Sequence, residues 1–202
     1  MLKVVAPASE TSLVDLAVVK RALSIADASG DDLLMELISR ASSVITTYCR
    51  RTFALETVRE TFRGNGRGAD GLMLARWPVV AVDALTIGST AADPSSVDIE
   101  GTSGIVHRVD SAGRCIGWQG GDIVIEYAAG YVLAPAEART LPADIEQACI
   151  LIVSAGYHAQ RRDPMLRSEQ VEGIGRADYQ ISGGLPSQVT ALLEPYRNVG
   201  IG

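Results

Sequence analysis

Four glycines in eight positions, GNGRGADG at residues 64–71, are the first residues of this chain whose spacing invites a chemical reading. Glycine-rich loops cradle phosphates because their backbone N–H groups can approach an anion at a helix N-terminus. A dinucleotide site needs G-x-G-x-x-G between a parallel strand and a helix, and a P-loop needs glycines that end in Gly-Lys-Ser or Gly-Lys-Thr. Neither condition holds, since the glycines lead into LMLARWPVVAV, a strand-like stretch broken by proline and lacking lysine. With strand-like sequence on both sides, Asn65-Gly66 reads as a hairpin tip, where both central residues need positive φ. LMLARWPVV is then the returning strand.

The other reactive residue types are scattered. His107 and His158 have no H-E-x-x-H spacing and no cysteine nearby, which leaves no metal site. Cys49, Cys115 and Cys149 are odd in number and lack a C-x-x-C pair, so they read as reduced thiols. No G-x-S-x-G elbow is present, and Asp27, Asp31 and Asp32 lack the glutamate that an EF-hand loop requires. Glu56 and Glu60 share one face of an expected strand, where a solvated edge accounts for them. No residue is assigned as catalytic, cofactor-binding or metal-ligating. A ligand-binding or enzymatic β module would need a pocket around His107, Cys115 and Trp118, and a DNA-binding module would need a basic face.

The densest basic region comprises Arg161, Arg162, Arg167 and Arg176, with Tyr179 as its aromatic residue. Asp163, Glu169, Glu172 and Asp178 are mixed among them. That mixture favours a protein-facing arm over a DNA-binding one. The formal charge of −6 points the same way, because nucleic-acid binders need positive charge to displace counterions.

These residues must be held by a fold that the 202-residue length can support with a real core. Apolar residues make up 47% and charged residues 21%, as in ordinary globular domains, and no apolar run approaches the roughly 20 residues of a membrane span. The opening MLKVVAPASE lacks the apolar core of a secretory signal, so an intracellular site of synthesis is expected.

The chain reads as helices, then strands, then helices. TSLVDLAVVKRAL forms a short helix with Ser12 as its cap, and Asp31 or Asp32 caps a longer one. In the longer helix Leu34, Leu37, Ile38, Ala41, Val44, Ile45 and Tyr48 recur at helical spacing as one buried stripe. From about Ala54, β-branched residues and glycine punctuation predict five or six antiparallel strands, with Pro78 at a strand start or edge. LPADIEQACILIVSAGYHAQRR then gives a long helix, expected to be the most buried element. Residues 163–184 read as a long loop or mobile arm, and LPSQVTALLEPYRN as a short helix stopped before Pro195. The fold class is therefore α+β. A small helical bundle, residues 1–53 and 141–202, carries an inserted antiparallel β domain at 54–140.

The order of these pieces resembles tailed-bacteriophage head–tail connector proteins, also called adaptors or head-completion proteins, with relatives in phage-derived gene transfer agents. The likeness runs over almost the whole chain. It is carried by LVDLAVVKRALSIADASGDDLLMELISRASSVITTYCRRTF, the glycine segment leading to RWPVV, IEYAAGY, the long helix and the closing LLEPYRN. The resemblance implies a non-enzymatic assembly protein at the head–tail junction of a virion assembled in a bacterial cytoplasm, without a cofactor and without a membrane. Its implied partners are the portal protein, further copies in a ring of about twelve, and a tail-side connector, stopper or terminator protein. DNA would pass through the ring without sequence-specific binding, and net negative charge would help it slide. On this reading Arg161, Arg162, Arg167, Tyr179, Pro195, Tyr196, Arg197 and Asn198 face a neighbour. Tyr196 and Arg197 are the expected anchors, because Tyr and Arg are enriched at interface hot spots. A purely internal role for Tyr196, capping the helical core, stays open.

Overall fold

The computed structural model describes residues 1–64, 70–136, 138–159 and 185–198, together with the backbone of residues 168–171 and 175–178. The chain forms two compact units, residues 1–11 with 52–140, and residues 12–51 with 141–202. The first eleven residues thus leave the helical part to which the sequence had assigned them. LKVVA, rich in β-branched side chains, is a strand of the β unit.

In chain order the β unit contains β1 (Leu2–Ala6), β2 (Glu56–Phe62), β3 (Leu72–Met73), β4 (Val79–Ile87), β5 (Thr90–Ala92), β6 (Val97–Glu100), β7 (Ile105–Val109), β8 (Cys115–Ile116) and β9 (Ile123–Ala129). Two-residue strands such as β3 and β8 are too short to show alternation, which is why five or six strands were expected between 54 and 140. One antiparallel sheet has the order β1-β2-β9-β4-β5. The other runs β3-β7-β6, with β8 also paired to β7.

At the centre of the first sheet lies β9. Its sequence IVIEYAA buries Ile123, Ile125, Tyr127 and Ala129 in strict alternation. In register with them stand Phe62, Glu60 and Val58 of β2 on one side, and Ile87, Leu85, Val82 and Val79 of β4 on the other. Leu72, Leu74, Val106 and Trp118 complete this core. Each fully buried Ile or Leu contributes about 1.5–3 kcal/mol over its exposed state. β9, rather than the long helix, is the most enclosed element.

Two expectations fail here for one reason: both edges of β2 are occupied. With β1 on one side and β9 on the other, Glu60 lies inside a sheet and is buried rather than on a solvated edge. By the same token β3 cannot be the returning arm of a β2 hairpin. It pairs with β7 in the second sheet, so residues 64–71 link two sheets rather than two paired strands. Asn65 and Gly66 themselves lie outside the described residues. Pro78 does stand immediately before a strand, at the start of β4. After β9, Gly130 adopts φ 115°, and a Cβ there would overlap the carbonyl of Ala54. Its N–H donates to Pro78 O at 2.9 Å, while Tyr131 N donates to Phe53 O at 2.7 Å. The glycine of IEYAAGY is thus a close-approach position.

The helical unit contains α1 (Leu16–Ala22), α2 (Asp31–Cys49), α3 (Ala143–Ala159), a ribbon of β10 (Ser168–Val171) and β11 (Gly175–Asp178), and α4 (Ser187–Leu193), which runs into a 3-10 turn at Glu194–Tyr196. Asp15, not Ser12, caps α1, its Oδ1 accepting from Ala17 N at 2.7 Å. Residues 12–14 stay off the helix because Leu13 N donates to buried Ser42 Oγ at 3.0 Å. No side chain caps α2; its N-cap is Gly30, and Asp31 instead takes Lys20 Nζ at 2.6 Å. The buried stripe of α2 is Leu34, Ile38, Ala41, Ser42, Ile45 and Cys49, whereas Val44 is exposed. Ser42 lies on the inner face, where the Leu13 bond satisfies its hydroxyl. α3 buries Ile145, Ala148, Cys149 and Val153. Part of the segment expected to be loop is β10 paired antiparallel with β11. Its polar sequence, SEQV and GRAD, hid that pairing.

Candidate protein–protein interface

Four of the residues expected to face a partner form one short structure at the end of α4. Val189 and Leu193 bury this helix, and Pro195 sits in the first turn of the 3-10 segment, where a missing N–H costs nothing. The chain is then tied to the end of α2 by Asn198 N donating to Cys49 O at 2.8 Å. Tyr48 OH donates to Glu194 Oε2 at 3.0 Å, and the Arg197 guanidinium lies over the Tyr48 ring, 5.5 Å from its centroid. Arg197 also faces Glu194 Oε1 at 3.5 Å. Desolvation, followed by the hydrogen bond to Glu194, pushes the Tyr48 phenol above its usual range. Tyr196 OH donates to Asp144 Oδ2 at 3.2 Å, at the positive end of α3, where a carboxylate is favoured.

Tyr196, Arg197 and Asn198 therefore converge on the C-terminus of α2 and the first turn of α3, and Pro195 stays exposed beside them. The internal role left open for Tyr196 is real at its hydroxyl. Tyr48, read from the sequence as part of the buried stripe of α2, completes the cluster with Asp144 and Glu194; its pairing with Glu194, 146 residues away, carries no local signal. Arg161, Arg162, Arg167 and Tyr179 lie outside the described residues.

Elsewhere the polar groups serve the fold. Glu60 Oε2 accepts from Tyr127 OH at 2.9 Å and from Ala75 N at 3.0 Å, and Arg76 N donates to the Tyr127 oxygen at 3.3 Å. Burial first, then Glu60, pushes the Tyr127 phenol well above its ordinary value. Enclosed in the core, this cluster offers no surface to a substrate. Burial also raises the Cys49 thiol to about 11 and the Cys149 thiol to about 12, the latter despite a contact from Ser42 Oγ at 3.9 Å. Such thiols are poor nucleophiles at neutral pH. The three residues that would have lined a ligand pocket do not form one: Trp118 is fully buried, His107 Nδ1 is bonded to Asp70 O at 2.8 Å, and Cys115 is exposed on β8.

A cavity of about 470 Å³ in the β unit is bounded by Ala8, Ser9, Glu10, Leu55 and residues 131–136. Ser9, Glu10 and Tyr131 are the polar side chains of its lining, and the Glu10 carboxylate accepts from the neighbouring Thr11 N at 2.9 Å. Among the described residues no group of three or more His, Cys, Asp or Glu is placed to hold a metal ion, and no helix is long and apolar enough to cross a membrane.

A protein-family model described as head completion protein matches residues 12–199. No curated protein sequence matches the chain. Among solved structures, the chain is similar to a component of the neck of an empty GTA particle with C6 symmetry, at 19% identity and a TM-score of 0.60, covering 100% of this chain and 97% of that one. A chain in the virion of the native gene transfer agent (GTA) particle matches with the same identity, coverage and TM-score. One in the neck of the native particle with C12 symmetry gives 21% identity and a TM-score of 0.59, again covering 100% and 97%. At these identities the likeness is one of fold.

Proposed function

The chain belongs to the head completion protein family, and from that premise we propose that it forms a ring on the portal vertex, lengthens the DNA exit channel and presents a platform to the tail. Its role is that of a head–tail connector at the junction of the two. The observation that carries this reading is the family match across residues 12–199, both units included. The similar chains of C6 and C12 GTA necks support a ring, and twelve copies is the number proposed. The proposed partners are the portal protein, a tail-side connector, stopper or terminator, and adjacent copies. DNA passes without sequence-specific contacts, consistent with a net charge of −6.

For the portal or inter-subunit contact we propose the C-terminal cluster with the arm that precedes it: Arg161, Arg162, Arg167, Tyr179, Pro195, Tyr196, Arg197 and Asn198. Internal bonds hold Tyr196 and Arg197 in place, and pre-organised aromatic and guanidinium groups lose little entropy on binding. Particles made without this protein should have DNA-filled or leaking heads and no tails in electron micrographs. Normally tailed particles would overturn the reading.

A further inference from the structure

Among the described residues the open strand edges are those of β1 and β5 in the first sheet, of β3, β6 and β8 in the second, and of the β10–β11 ribbon. β3, β5 and β8 are 2, 3 and 2 residues long, and β6 carries Asp98 and Glu100, of the same sign as Glu169 and Asp178 of the ribbon, which leaves β1 as the edge that suits it. A two-stranded ribbon is at best marginally stable alone in water, and a further strand or a packed face is what stabilises it. β1 offers such an edge. Met1 and Thr61 exchange both backbone bonds, Met1 N to Thr61 O at 2.7 Å and Thr61 N to Met1 O at 2.8 Å. Hydrogen-bonded and non-bonded pairs alternate in antiparallel sheets, so Lys3 bonds inward opposite Arg59, and the N–H and C=O of Leu2 and Val4 point away from β2. Val4 is 37% and Val5 43% exposed, so this end of the strand is open among the described residues. The register shift between Val4 and Ala6 ends the regular stretch, limiting the usable edge to residues 1–4. β10 and β11 are each 4 residues long.

Resting on the ring proposed above, we infer that the β10–β11 ribbon of one copy pairs along β1 of the next copy and extends its five-stranded sheet. The contact joins two different patches, so repeating it head to tail generates a ring when the rotation closes. Main-chain hydrogen bonds supply the affinity, as in other strand additions. Charge agrees with the pairing: in sequence the ribbon strands carry Glu169 and Asp178 against Arg176, while β1 carries Lys3; Arg59 opposite it is already paired with Glu126 at 2.6 Å.

The test uses the full chain assembled on portal-bearing heads, in a Cys115→Ser background that removes the exposed thiol. Val4→Cys is combined in turn with Glu169→Cys, Gln170→Cys and Val171→Cys, and assembled necks are treated with a short bismaleimide. A ladder of crosslinked multimers is expected for at least one pair. Necks that contain the protein and yield only monomer, whether uncrosslinked or crosslinked within one chain, overturn the inference while leaving the connector role intact. Heads that never acquire the protein, with the unsubstituted chain as control, count against the connector role itself. Val4→Pro removes an outward donor without touching a β1–β2 bond, and proline is tolerated on an edge strand. This variant should keep its circular dichroism spectrum and lose ring incorporation; normal incorporation overturns the inference.

Discussion

Glu60 shows how one residue changes meaning when its surroundings are known. In ETVRETF it shares a face with Glu56, Val58 and Phe62, and its charge reads as that of a solvated edge strand. In the sheet it is 8% exposed and receives hydrogen bonds from Tyr127 OH and Ala75 N. The cluster holds the connection between β3 and β4 against β9, with Arg76 Nη1 bonded in turn to Thr52 Oγ1 at 2.6 Å. Removing the acceptor strands buried donors, and each stranded donor costs about 1–3 kcal/mol. Glu60→Ala should therefore lower the unfolding free energy by about 2–4 kcal/mol on that basis, read as a shift of the urea midpoint at unchanged slope. Tyr127→Phe, which removes the bond to Glu60 and the acceptor of Arg76 N but leaves Ala75 paired, should cost about 1–3 kcal/mol. A Glu60→Ala variant as stable as the parent would show that the cluster carries no load.

Among the elements, α2 was the most legible and still instructive in its errors. Its 3.6-residue periodicity locates the helix correctly, and Leu34, Ile38, Ala41 and Ile45 face inward as that period requires. Val44 is exposed instead of buried, and Ser42 lies on the inner face, where a hydrogen bond from Leu13, 29 residues away, makes burying its hydroxyl tolerable. The helix ends at Arg50 in the left-handed region, φ 52° and ψ 39°, with its N–H directed at the carbonyls of Thr46 and Thr47. A residue with a Cβ there is strained, and glycine is the usual occupant of such an end. Arg50→Gly should raise stability by about 1 kcal/mol, measurable as a higher thermal midpoint. An unchanged or lower midpoint would mean that the arginine side chain offsets the strain through its own contacts. The C-terminal cluster was legible only by type, as a Tyr-Arg pair after proline. Its partners Tyr48 and Asp144 belong to helices that no local pattern connects to it.

For the molecule as a whole, an acidic chain with open strand edges among its described residues should remain one chain in dilute solution and associate when a platform aligns its copies. Static light scattering of the isolated protein at low micromolar concentration should return the mass of a single chain. A stable ring under those conditions would contradict this reading. Local chemistry settled much of the outline. Helical and alternating periodicities, capping residues and glycine punctuation act over a few positions, so they reveal an α+β chain with helices flanking strands, and they give the glycine segment neither the Gly-Lys-Ser/Thr ending nor the strand–helix setting of a phosphate loop. Strand partnership is different in kind. Glu60 and Ile125 meet although 65 positions apart in sequence, and β1 reaches β2 across about fifty, because whole apolar faces must be buried together. That collective burial placed β1 in the β unit, enclosed Glu60, sent β3 to a second sheet and left the β1 edge open. None of these outcomes is encoded within any single stretch of the chain.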